Sequence, residues 1–125
     1  MRALAGAGLR TAGAGPDSEA ARRPAAVPAR GGGRAIIVSC GTGCSGIPAD
    51  WAAAPGRAGV NRLPDLSPAT AGDLIGQMRA ARRPGDIAVI SIHWGSNWGY
   101  GVGADQVRFA RALIDGGVDL VHGHS

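Results

Sequence analysis

Three histidines carry most of the chemistry this chain can offer. His93 closes the apolar run Ile87 to Ile92, and His122 and His124 follow the run Val118 to Val121. A segment of helix length separates the two runs. That order predicts neighbouring parallel strands whose C-terminal ends share one sheet edge, where α/β folds place their sites. Imidazole is the commonest side-chain ligand for transition metals and titrates near neutral pH. His122 and His124 stand two residues apart, so they share a face if the backbone is extended and part if it turns at Gly123. A strand-end histidine can also do no more than hydrogen-bond a neighbour. Spacing leaves both readings open, because a catalytic zinc needs about three protein ligands and a dinuclear phosphoesterase centre needs carboxylates as well.

The elements that must position these residues are legible from apolar pattern and turn chemistry. Arg34 to Ser39, centred on Ala35-Ile36-Ile37-Val38, suits a buried strand. Cys40 to Gly46 is a Gly/Ser/Thr turn. Residues 47–66 form a Pro-punctuated connection with Trp51, Pro55, Asn61 and Pro64, long for a compact domain. Ser67-Pro68 starts a helix, with a hydroxyl at the cap and proline where its missing N–H costs nothing. Leu74, Ile75 and Met78 give its apolar stripe, and Pro84-Gly85 stops it. Asp86 to His93 reads as a central parallel strand. A glycine-rich loop over 96–103 carries Asn97, Trp98 and Tyr100. A helix over 105–115 follows, and Val118 to Val121 starts a further strand. The fold class is therefore α/β, in the order β–loop–α–β–α–β with a parallel sheet.

Charge divides the chain. All 13 basic residues are arginine, and the formal net charge is +4. Residues 1–34 hold six arginines against Asp17 and Glu19, whereas residues 35–125 hold seven arginines and seven aspartates. The basicity lies in the leader, without interleaved aromatics, which argues against nucleic acid as a partner. Residues 1–33 have almost no large apolar side chains and read as a disordered Arg/Gly/Ala/Pro-rich leader, bounded by Gly31-Gly32-Gly33. Cys40 and Cys44 are too few for a disulfide framework or a zinc site and read as incidental. No apolar run approaches the roughly 20 residues that span a bilayer, and Met1 to Gly15 makes a poor signal peptide because Arg10 interrupts it.

Two longer stretches resemble a known family. Asp86-Ile-Ala-Val-Ile-Ser-Ile-His93-Trp94-Gly95 and Gln106 through Asp119 to His122-Gly123-His124 look like the CapA family of poly-γ-glutamate capsule biosynthesis proteins. Gly46-Ile-Pro-Ala-Asp-Trp51 resembles a loop of one branch of it. The resemblance implies a calcineurin-like metallophosphatase fold, an αββα sandwich, of which residues 34–125 would be a partial domain truncated at both ends. It implies that His93 and His124 are metal ligands, with His122, Asn97 and Gln106 contacting substrate or supporting the ligands. It also implies divalent metal ions (manganese, iron or zinc), an anionic polymer or phosphoester substrate, and capsule-export membrane proteins as partners. Asn97 stands where many members have glutamate, and the family's closing histidine would fall two positions past Ser125. The 125-residue chain alone is accordingly expected to lack a competent site. A non-enzymatic role in polymer binding or export-complex assembly is the alternative, since fold is a weak warrant for activity. Trp94 is expected to pack against the sheet edge, while Trp98 and Tyr100 stay open between packing and a polymer groove.

Overall fold

A computed structural model describes Leu4, residues 6–96 and residues 98–125 of the chain. Its centre is a four-stranded sheet. In chain order the elements are β1 (Ala14–Gly15), α1 (Ser18–Arg22), β2 (Ala25–Pro28), β3 (Arg34–Gly41), β4 (Gly59–Val60), α2 (Pro68–Ala81), β5 (Ile87–His93), α3 (Ala104–Asp115) and β6 (Leu120–His124). The large sheet runs β2-β3-β5-β6, and β1 pairs separately with β4. β3, β5 and β6 are parallel, joined through α2 and α3, while β2 lies antiparallel on the outer edge of β3.

Alternation along the strands assigns the two sheet faces. Ile36, Val38 and Cys40 of β3 and Ala88, Ile90 and Ile92 of β5 are buried. They pack with Leu74 and Met78 of α2 and Phe109 and Leu113 of α3 in one core. Both helices therefore cover the same face. On the opposite face Ile87 and Leu120 remain about half exposed. The result is one sheet layered on one pair of helices, consistent with a fragment of a metallophosphatase-like fold.

Capping fixes the helix boundaries near their expected positions. Ser67 Oγ accepts from the Thr70 N–H at 3.3 Å, and Pro68 opens α2. Gly116 and Gly117 follow α3, and the Val118 N–H donates to the Leu113 carbonyl at 3.1 Å. Val118, expected to begin the last strand, is thus a buried plug beneath that helix end. Asp119 then accepts the Ala88 N–H at 2.7 Å, and pairing begins only at Leu120, opposite Val89. The strand then runs on through His122 and His124.

The leader also departs from expectation. Within residues 1–33, β1, α1 and β2 are regular elements, not a disordered tail. Asp17 caps α1 through a 2.8 Å bond from the Ala20 N–H, and Ala21 is buried. Small residues here permit close backbone approach where the sequence reading asked for large apolar ones: a Cβ on Gly15 would lie 2.4 Å from the Ala21 nitrogen. Gly31-Gly32-Gly33, read as a boundary, is instead the turn between β2 and β3, with all three residues at positive φ.

The long connection over 47–66 is similarly anchored. β4 within it pairs with β1, and Asn61 donates its side-chain amide to the Ser39 carbonyl at 2.9 Å. The Asn61 carbonyl accepts the Gly41 N–H, and the Leu63 N–H donates to the Gly41 carbonyl. These bonds extend the β3 edge at the end where the histidines gather.

Candidate functional site at the sheet edge

Register brings the histidines together. Ser91 lies opposite His122 and His93 opposite His124 in the parallel β5–β6 pair. Because β6 stays extended through Gly123, His122 and His124 share a face, with ring centroids 5.3 Å apart and planes at 28°. The His93 and His124 centroids are 5.0 Å apart, and their Nδ1 atoms stand 3.2 Å apart. Gly123 has its own packing reason. A Cβ there would come within 2.5 Å of the Trp94 indole nitrogen.

That nitrogen separation decides what the pair can do. Two donors at about 2.0–2.1 Å from one ion, at tetrahedral or octahedral angles, stand roughly 2.9–3.4 Å apart. The His93–His124 separation, here that of a hydrogen bond between the two rings with the donor set by the tautomer, falls in that range. Desolvation by burial, then the neighbouring His93 and His122 rings, hold His124 below its ordinary pKa of 6.5. The neutral form, which ligates metal, is thereby favoured. Among the described residues no group of three His, Cys, Asp or Glu side chains is placed to hold an ion. The pair fits as two ligands of a larger set.

The other residues singled out in the sequence divide. His122 Nδ1 lies 3.1 Å from Ser91 Oγ, so that nitrogen is engaged with a neighbour and not with His93. Gln106 spends its side-chain oxygen on the Gly103 N–H at 2.8 Å, the reach-back contact of a helix cap. Its amide nitrogen would lie 3.1 Å from a Cβ on Gly95, so Gln106 braces the loop entry. Asn97 lies outside the described residues. Trp94 packs edge-on to Phe109, with centroids 6.2 Å apart, as expected of it, whereas Trp98 and Tyr100 are fully solvent-facing. A shallow cavity of about 340 Å³ opens beside His124, between Trp94, Tyr100, Gln106 and Gly123.

Two residues at this edge escaped the sequence reading because nothing in their spacing marked them. Thr42 and Ser45, in the turn after β3, are both buried. The Thr42 N–H donates to the His93 carbonyl at 3.0 Å, and the Ser45 hydroxyl reaches the same oxygen at 3.0 Å. Cys40 points into the core, where burial pushes its thiol up to about 12. Cys44 is exposed, and both thiols are free.

Fold and site together define an α/β domain with two strand-end imidazoles brought side by side at one sheet edge. The family model described as "Bacterial capsule synthesis protein PGA_cap" matches residues 1–125, and the chain belongs to that family. It is similar to a probable polyglutamine synthesis accessory protein of Mycobacterium tuberculosis, found in strains CDC 1551 / Oshkosh and ATCC 25618 / H37Rv. The identity is 49% over 126 residues, covering 100% of this chain and 33% of each relative. It is also 32% identical over 69 residues to the PGA biosynthesis protein CapA of Bacillus subtilis, covering 55% of the chain and 18% of that protein. The chain thus spans about a third of the length of the Mycobacterium relatives it matches in full. Among the described residues no helix is long and apolar enough to cross a membrane.

Proposed function

We propose that this chain supplies two ligands, His93 and His124, to a divalent-metal site that processes a phosphoester during synthesis of an anionic capsule polymer. The observation that carries the reading is the 3.2 Å separation of the two Nδ1 atoms, on residues that are opposite each other in the sheet register. A bound metal would supply Lewis-acid polarisation of a phosphoryl oxygen and a water acidified towards neutrality. The chain's own residues hold the rings. The Trp94 N–H donates to the His124 carbonyl at 2.9 Å, locking the two strand ends, and Ser91 orients His122 beside them. The cavity next to His124 gives an extended substrate a place to lie. Among the described residues no third His, Cys, Asp or Glu joins the pair, so in this reading the remaining ligands, carboxylates among them, come from elsewhere in the whole protein.

The experiment is manganese or zinc uptake by the intact protein, followed by turnover of a generic phosphoester. His93→Ala and His124→Ala should each abolish stoichiometric uptake and reduce turnover by more than about a hundredfold, beyond the roughly 10–100-fold that losing only a ligand's supporting hydrogen bond costs. Unchanged metal content in His124→Ala would sink the reading. The second reading, a non-catalytic component that binds polymer or export proteins, is favoured by the solvent-facing Trp98 and Tyr100 on the loop beside the site. Loss of polymer export in Trp98→Ala, with no phosphoester turnover in the wild type, selects it.

A further inference from the structure

The position of the His93 ring is set by its backbone. β5 ends at His93, and the chain turns away at Gly95 with φ of +88°. A carbonyl oxygen has two lone pairs. At His93 the sheet ladder fills one through the Thr42 N–H at 3.0 Å. The other faces the Ser45 hydroxyl, also at 3.0 Å, with the Thr42 hydroxyl farther off at 3.4 Å. Ser45 is 6% exposed and sits at the end of a short 3-10 turn, Gly43–Ser45. Its oxygen also lies 2.7 Å from the Thr42 carbonyl, so one proton is shared between two acceptors. The Gly95 N–H, just beyond the histidine, points at Cys44 Sγ at 3.4 Å. The turn after β3 therefore grips the chain at the His93 carbonyl and again at Gly95, just past the end of β5.

We infer that Ser45 is a positioning residue for the His93–His124 pair. Its hydroxyl fixes the His93 carbonyl and, through it, the direction in which the ring leaves the strand. Ser45 touches neither ring. Its effect on metal affinity rests on the reading proposed above, but its effect on ring geometry does not. A hydroxyl serving only the Thr42 carbonyl would stabilise the turn and leave the rings where they are.

The test uses the intact protein with Ser45→Ala and Ser45→Thr, read by two measurements. In metal-free protein, the nuclear Overhauser contact between the His93 and His124 ring protons should be present in the wild type. It should be lost in Ser45→Ala and restored in Ser45→Thr. Zinc affinity, by calorimetry, should fall about tenfold or more in Ser45→Ala and recover in Ser45→Thr. A Ser45→Ala protein that melts earlier yet keeps the ring contact overturns the inference. A wild type that takes up no zinc, but whose ring contact still depends on Ser45, upholds the inference and sinks the metal reading instead. Should Ser45→Ala not fold, Ser45→Cys, of similar size with a weaker donor, is read by the same ring contact.

Discussion

His93 and His124 face each other across the last rung of the β5–β6 ladder, with Nδ1 atoms 3.2 Å apart. A positive charge on the His93 ring raises the cost of protonating His124.

That relationship predicts how the metal-free site titrates. Burial, reinforced by His93 and His122, lowers the His124 pKa from its ordinary 6.5. A base with a depressed folded-state pKa binds protons more readily when unfolded. Its contribution to stability is therefore complete above about 6.5 and is lost as pH falls through the folded value. The Cε1–H resonance of His124 should accordingly show a midpoint below 6.5, moving upward in His93→Ala. A midpoint indifferent to His93 would contradict the coupling.

A second acid-sensitive contact lies at the far end of the sheet. Arg34 donates to both carboxylate oxygens of Asp86, through Nε at 3.1 Å and Nη2 at 2.5 Å. The Arg83 N–H adds a 2.8 Å bond. The guanidinium contact, supported by that N–H, holds Asp86 down to about 2 against the opposing effect of burial. For an acid with a depressed folded-state pKa, the stabilisation is present above the ordinary value near 3.8 and disappears as pH falls towards 2. Denaturant midpoints of the wild type should drop across that window. Asp86→Asn should start lower at pH 5 and change less.

Gln106 provides a test of role against resemblance. Its side-chain oxygen caps α3 at the Gly103 N–H, so Gln106→Ala should cost about 0.5–2 kcal/mol of stability, the usual loss for a helix cap. Metal uptake should be unaffected. A variant that keeps wild-type stability but loses metal or turnover would return Gln106 to the site.

Much of the architecture was legible because it is written locally. β-branched runs marked β3 and β5, Ser67-Pro68 marked the start of α2, and Gly116-Gly117 marked the end of α3. The order of these elements predicted parallel pairing with the histidines at one edge. The resemblance carried by 86–95 and 106–124 agreed with the family match over the whole chain. Residues 1–33 were misread for a physical reason. A two-residue strand, a four-residue strand and a five-residue helix are too short to show a period, and their order comes from edge pairing and close backbone contact.

The sequence by itself determined which residues could do chemistry, the order of the strands in the chain and the family. Tertiary structure alone decided the register, because a one-residue slip between β5 and β6 would send the facing histidines to opposite sides of the sheet. It alone kept Gly123 extended under the Trp94 indole, which puts His122 and His124 on one face. It also brought Ser45, 48 residues away in the chain, to the His93 carbonyl. Such a contact follows from how β3 and β5 lie side by side, and no local pattern in the sequence encodes it.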